Sequence, residues 1–270
     1  MQLWTKLKRA VAGAIRRDKP PALSQREVER DFAAYKSAYP EATHAQFYAA
    51  HAMRTLRAGK AHSTLGLRLY DKTSGIRLDA NYFDAGRDRA KQYRKLLDIR
   101  PTSKIVDYGC GSLRLGIHFL RFLEPGNYMG LDVTRDFIDI GIEAVPNLIA
   151  DKRPQLDAIS EQSLRAATDF AADFVISNAV SYHVHPNEID AYLANLATIC
   201  LKPGSRLAFD AKSSAKPIQF RNRGWAYPME FYVERLKPLS FVSQHRQSAM
   251  NEPRAGNVLI ESSVLEFKRD

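Results

Sequence analysis

Cysteine is scarce in this 270-residue chain: Cys110 and Cys200 are the only two, 90 positions apart. That excludes a disulfide-stapled scaffold, offers no paired metal-ligand spacing, and suits a reducing, cytoplasmic compartment. Long apolar runs are lacking as well. The longest near the N-terminus, residues 10–15, is flanked by Arg16 and Arg17. It is too short to span a bilayer, which takes about 20 apolar residues, and is a poor signal-peptide core. Internal repeats and low-complexity segments are absent too, which argues against a solenoid or an extended disordered chain. What is present is 45% hydrophobic content, enough for a full α/β core. The expected organisation is a basic, mainly helical extension over residues 1–80 and one main domain over 81–270.

Charge separates these two parts. Residues 1–100 carry 21 Lys and Arg against 10 Asp and Glu, net +11, whereas the other 170 residues hold 19 basic and 20 acidic ones, net −1. Basicity confined to the extension is either an ordinary solvated surface or a platform for an anionic partner such as RNA or a membrane surface. Trp4, Leu7, Val11 and Ile15 recur near helical spacing among Lys6, Lys8, Arg9, Arg16 and Arg17, and Pro20-Pro21 ends the pattern. This segment reads as a terminal helix, docked or lying at a membrane interface. Ser24-Gln25-Arg26-Glu27 has capping-box spacing for a helix running to Pro40. A further helix is expected over residues 44–57, presenting Phe47, Met53 and Leu56 and ending at Gly59.

Past residue 85 the pattern becomes alternating strand and helix. Strands are expected at 104–108, 128–132, 173–177 and 206–210, with a helix after His185 carrying Ile189, Tyr192, Leu193, Leu196 and Ile199 on one face. Such alternation implies a doubly wound, mostly parallel α/β sheet, with ligands at the carboxyl ends of its strands.

The strongest local signal is Ile105-Val106-Asp107-Tyr108-Gly109-Cys110-Gly111, a strand running into a glycine turn. Glycine there lets backbone approach a ligand. The third glycine of the dinucleotide fingerprint is missing: Arg114 stands in its place, and Gly116 follows two residues later. Asp107 before the turn would repel a pyrophosphate at short range but suits a ligand bearing ammonium and sulfonium groups.

The stretch Val106-Asp107-Tyr108-Gly109-Cys110-Gly111-Ser112-Leu113-Arg114 resembles motif I of the class I S-adenosylmethionine-dependent methyltransferases. Gly126-Asn127-Tyr128-Met129-Gly130-Leu131-Asp132 is similar to that family's second strand, Phe174-Val175-Ile176-Ser177-Asn178 to its fourth, and Leu201-Lys202-Pro203-Gly204 to the turn before its fifth. The resemblance covers about residues 82–211. It implies a Rossmann-like, seven-stranded methyltransferase sheet with S-adenosylmethionine as methyl donor. Gly109 and Gly111 would line the methionine portion, with Cys110 contributing backbone; Asp132 would bind the ribose and Val133 pack on the adenine. Asp107 and Asn178 belong to the same cofactor set. Residues Ile159, Ser160 and Glu161 would reach the adenine amino group, and Tyr82, Gly86 and Arg87 the amino-acid end, with Arg87 on the carboxylate. Plainer readings stand beside these: a helix N-cap for Asp132, a solvated helix charge for Arg87.

Methyl transfer needs in-line attack on a sulfonium methyl, so positioning supplies much of the catalysis. If the acceptor is a hydroxyl, His183 in Ser181-Tyr182-His183-Val184-His185 is the candidate base; otherwise it packs against the pocket. No Cys or carboxylate pattern completes a metal site around His183 and His185, so no metal is expected. Arg221-Asn222-Arg223-Gly224-Trp225-Ala226-Tyr227-Pro228-Met229-Glu230-Phe231-Tyr232 mixes Arg with aromatics and reads as an acceptor-stacking segment or a packed lid. Three functions compete: a methyltransferase acting on a hydroxyl of a small molecule or saccharide, an RNA methyltransferase using the basic extension, and a non-catalytic cofactor-binding scaffold. The Pro-Pro-aromatic motif of amino-methylating enzymes is absent after Asn178, where the chain reads Ala179-Val180-Ser181.

Overall fold

The computed structural model describes residues 25–58, 68–71, 75–78, 84–220, 224–247, 254–255 and 258–270. The expected helix over residues 1–20, Ser24 of the capping box, Gly59, Tyr82 and Arg221-Asn222-Arg223 lie outside them.

The first described elements of the extension are helices α1 (Gln25–Ala38) and α2 (His44–Arg57). A reciprocal cap starts α2: Thr43 Oγ1 accepts the Gln46 N–H at 3.1 Å, and Gln46 Oε1 accepts the Thr43 N–H at 2.9 Å. Phe47, Ala52, Met53 and Leu56 then fall on its buried face. A two-stranded antiparallel hairpin follows, β1 (Arg68–Asp71) with β2 (Gly75–Leu78). This part of the extension, read as mainly helical, thus contains a strand pair. Its strands are four residues long, too short for periodicity to separate from loop.

Helix α3 (Asp84–Leu97) leads into the main sheet. In chain order come β3 (Ile105–Tyr108), α4 (Gly116–Phe122), β4 (Tyr128–Asp132), α5 (Arg135–Ala144), α6 (Pro146–Lys152), β5 (Gln155–Ala158), α7 (Glu161–Asp169) and β6 (Phe174–Ser177). Then follow a short 3-10 turn (Ser181–His183), α8 (Ile189–Ile199), β7 (Arg206–Ser213), and the small hairpin β8 (Ile218–Phe220) and β9 (Gly224–Ala226). Helix α9 (Met229–Arg235), β10 (Ser240–Arg246), the minor pair β11 (Arg254–Ala255) and β12 (Val258–Leu259), and β13 (Glu261–Lys268) complete the chain.

Seven strands form the central sheet in the order β10-β13-β7-β6-β3-β4-β5. The five from β5 to β7 are parallel, while β13 enters antiparallel between β7 and β10. Both faces are covered, which is why the inner strands are apolar at nearly every position. Val106 and Tyr108 of β3 pack with Leu193, Leu196 and Phe209 on one face; Ile105 packs with Tyr93, Leu97 and Phe119 on the other. Leu193 is fully buried, so Leu193→Ala should cost about 2–5 kcal/mol.

This topology places the site. Strand β3 pairs with β4 on one side and β6 on the other. Chain order runs outward in opposite directions from that point, leaving a crevice beyond the carboxyl ends of β3 and β6.

Candidate active site

The turn after β3 uses left-handed backbone, which glycine favours, at two places: Gly109 has φ +87° and Gly111 φ +56°. Their surroundings differ. A Cβ on Gly109 would stand 2.3 Å from Val180 Cγ2, whereas one on Gly111 would meet nothing within 4 Å. Gly109 therefore serves close packing on the loop after β6, and Gly111 faces open space, as a ligand cradle requires. Leu113 also adopts a left-handed conformation, φ +61°, and the helix begins at Gly116. At Gly116 a Cβ would stand 2.3 Å from Tyr128 Oη. The close helix–sheet contact that a fingerprint's third glycine provides is supplied here by Gly116.

Two buried acids flank the turn. Asp132, at the end of β4, accepts the Gly111 N–H on Oδ2 at 2.8 Å, and the Val133 and Thr134 backbones also donate to it. Burial pushes its carboxyl up to about 6 against those three donors. Helix α5 is capped by Thr134, which accepts the Asp136 N–H, so Asp132 is not that cap. Asp107, on β3, accepts the Tyr128 hydroxyl at 2.8 Å. Burial raises it to about 7, the Tyr128 bond opposes the rise, and the Asp132 charge adds to it. Cys110 turns its thiol into the core beside Gly130, where burial raises the thiol pKa. It is placed to offer backbone and not a nucleophile.

From the far side of the crevice comes Asn178, directly after β6. Its Oδ1 is buried and has no hydrogen-bond partner, so it can accept a hydrogen bond from a ligand. Ala179 beside it has φ +60°. Val133 packs with Ala49, Ala52, Met53, Leu56 and Phe137, so α2 of the extension closes over this end of the crevice. Ile159 donates its N–H to the Asp132 carbonyl at 2.8 Å, and Ser160 caps α7 through a reciprocal bond with Ser163. Arg87 pairs with Asp84 on an exposed face of α3. At the preceding residue, a Cβ on Gly86 would lie 2.0 Å from the Arg114 carbonyl oxygen, so α3 touches the glycine loop backbone to backbone.

His183 closes the 3-10 turn after β6 and is exposed. Its ring lies 4.4 Å from that of Tyr182 and is stacked at 6.1 Å on Tyr48 of α2. Among the described residues no group of three His, Cys, Asp or Glu is placed to hold a metal ion.

Several residues at this end of the sheet escaped the sequence reading. Asp210 of β7 accepts the Tyr93 hydroxyl at 3.0 Å and Gln247 Nε2 at 3.1 Å, with Arg89 at 3.8 Å. Burial raises its carboxyl pKa, and Arg89 opposes the rise. A lone acid inside the apolar run Leu207-Ala208-Phe209-Asp210-Ala211 was the available signal. Lys212 sits over the Tyr182 ring at 5.2 Å. Glu188 receives the His44 and Ala45 backbone N–H groups and so fastens the start of α2 to the main domain; no local pattern announces such a contact.

Residues 106–207 match the family model described as a methyltransferase domain. No curated protein matches the chain by sequence. Among solved structures, TehB from Haemophilus influenzae is 13% identical at a TM-score of 0.50, covering 73% of this chain and 69% of its own. The glycopeptide N-methyltransferase MtfA, complexed with sinefungin, is 12% identical at 0.50, covering 68% and 94%. The magnesium protoporphyrin IX methyltransferase of Synechocystis PCC 6803 with bound SAM is 15% identical at 0.49, covering 71% and 86%. At these identities the likeness concerns fold alone. The matched family segment runs from β3 into β7 and holds the glycine turn and Asp132, so residues 106–207 are similar to a methyltransferase domain.

Proposed function

We propose that the chain transfers a methyl group from S-adenosylmethionine to a hydroxyl of a small molecule or saccharide. The observation that carries the cofactor part is the open face of Gly111, whose N–H is held by the buried Asp132 carboxylate, with the unpartnered Oδ1 of Asn178 at the end of the neighbouring strand β6. When bound, S-adenosylmethionine supplies an electrophilic methyl on a sulfonium. Gly109 to Gly111 would hold its amino-acid arm through backbone, Asp132 would accept from ribose hydroxyls, Asp107 would offset positive charge, and Arg87 would turn from Asp84 toward the carboxylate.

The acceptor part rests on the roof. Helix α2 brings Tyr48 against His183 and Met53 against Val133, so the crevice is narrowed by side chains from the extension. A small acceptor fits that enclosure better than a folded RNA. His183 would receive the acceptor hydroxyl's proton on a ring nitrogen as the oxygen attacks. Among the described residues no helix is long and apolar enough to cross a membrane.

The test is methyl transfer from radiolabelled S-adenosylmethionine into fractionated cell extract, with mass spectrometry of the labelled product. An O-methylated small molecule is expected. A ribonuclease-sensitive product would replace this reading with RNA methylation; tight binding of S-adenosylhomocysteine without turnover on any fraction would favour the scaffold.

A further inference from the structure

Away from the glycine turn, the extension and the main domain enclose a cavity of about 160 Å³. Phe32 of α1 and His44 at the start of α2 contribute one side; His185 after the 3-10 turn and Trp225 of β9 contribute the other. Their rings form a continuous set. His44 and His185 stack at 4.8 Å; Trp225 meets them edge-on at 5.9 and 5.3 Å, and Phe32 approaches them at 5.0 and 6.1 Å. Glu29 and Gln219 complete the polar part of the lining, which includes no Lys or Arg.

Each feature points to the same ligand chemistry. Aromatic walls attract a cation through their ring quadrupoles, Trp most strongly, and attract an anion not at all. A carboxylate in the lining and a second one, Glu188, behind His44 add negative potential. Burial lowers the His185 pKa, while Glu188 and Glu29 pull it up; the lowered value leaves that imidazole uncharged at neutral pH, so it does not oppose a cation. The volume suits a compact head group and not a nucleotide, since a cavity of about 150 Å³ holds a benzene-sized guest.

Position links the cavity to the reaction. His44 and Tyr48 are four residues apart on α2 and so share a face, about 6 Å apart along the helix. Tyr48 stacks on His183 while His44 stacks on His185. A group held among Phe32, His185 and Trp225 would therefore stand one helical turn from the His183 ring.

We propose that this cavity is the recognition subsite for a compact organic cation, an alkylated ammonium group, carried by the methyl acceptor. The proposal rests on the acceptor lying at His183, as argued above.

Choline and its uncharged isostere 3,3-dimethyl-1-butanol are the probes, read by Trp225 fluorescence in a Trp4→Phe background of the full chain. S-adenosylhomocysteine binding is measured in parallel by calorimetry. Choline should bind saturably and at least about fivefold more tightly than the alcohol, the scale of a partly desolvated cation–π contact. Glu29→Gln should weaken choline and leave the alcohol unchanged; Phe32→Leu should weaken choline more, with S-adenosylhomocysteine affinity unaltered in both. Equal binding of the two probes would overturn the proposal in favour of a merely apolar cavity. So would no response to choline in a protein that binds S-adenosylhomocysteine normally. Loss of S-adenosylhomocysteine binding with choline binding intact would strike the cofactor reading instead.

Discussion

Tyr48 lies over His183 with ring centroids 6.1 Å apart and planes inclined by 20°, so a residue of the extension orients the candidate base. If His183 takes the acceptor's proton, His183→Asn lowers kcat at least about 100-fold, the lower end of general-base contributions. S-adenosylhomocysteine affinity should stay within a factor of two or so, because the cofactor cradle is built elsewhere. Tyr48→Phe should preserve the rate and Tyr48→Ala reduce it. Parallel losses of kcat and cofactor affinity in His183→Asn would instead make it a pocket residue.

Asp132 is tied to the glycine turn, since the Gly111 N–H donates to its Oδ2 at 2.8 Å. Asp132→Ala should weaken S-adenosylhomocysteine by about 10- to 100-fold, as expected for charge-assisted hydrogen bonds of about 1.5–3 kcal/mol. Asp132→Asn, which can still accept from Gly111, should lose less. Unchanged calorimetric affinity in both would remove Asp132 from the cofactor site.

Asp107 makes stability depend on pH in the opposite sense to a salt-bridged acid. Its carboxyl is raised from 3.8 to about 7 by burial. Between those values the folded chain keeps a proton that the unfolded chain releases, so stability falls as pH rises from 4 toward 7. The full gap is worth about 4 kcal/mol. Asp107→Asn is neutral throughout and still accepts from Tyr128, so its denaturation midpoint should exceed that of the parent by a margin that widens over this range. A margin independent of pH would show that Asp107 is ionised in the fold. Cofactor binding should expel the same proton, seen at pH 6.5 as a binding enthalpy that varies with the buffer's ionisation heat and is constant in the variant.

Gly109 and Val180 form a packing pair, 2.3 Å apart for a Cβ that glycine lacks. Gly109→Ala should destabilise by about 1–3 kcal/mol through overpacking. Val180→Ala in the same chain should recover part of that and not all, because the φ of +87° still strains alanine. Chemical denaturation of the four chains of this cycle would show coupling; additive losses would put the whole cost in the backbone.

The sheet was legible because its inner strands are apolar on both faces and are bordered by turns with their own chemistry, Gly109 after β3 and Gly204 before β7. The turn from β3, Asp132 and Asn178 were readable for the same reason: each stands at or directly after the carboxyl end of a strand. Contacts made across the fold left less trace. The strand Gln155–Ala158 sits at the sheet edge with an exposed-to-half-buried pattern, so no apolar run marks it. Glu188, whose carboxylate receives the start of α2 from 144 positions away, looks like any surface acid. Asp210 was visible as a charge in an apolar strand, yet Tyr93, Arg89 and Gln247 come to it from distant segments.

The bare crossing of α3 over the loop at Gly86 bears on how variation in this chain will be interpreted. Any side chain there would press on the Arg114 carbonyl and displace the turn that carries Gly111, without touching a ligand. In a selection scored on activity, position 86 will therefore sort with the cofactor contacts, and only a binding enthalpy set beside a thermal midpoint will tell a lost contact from a shifted scaffold.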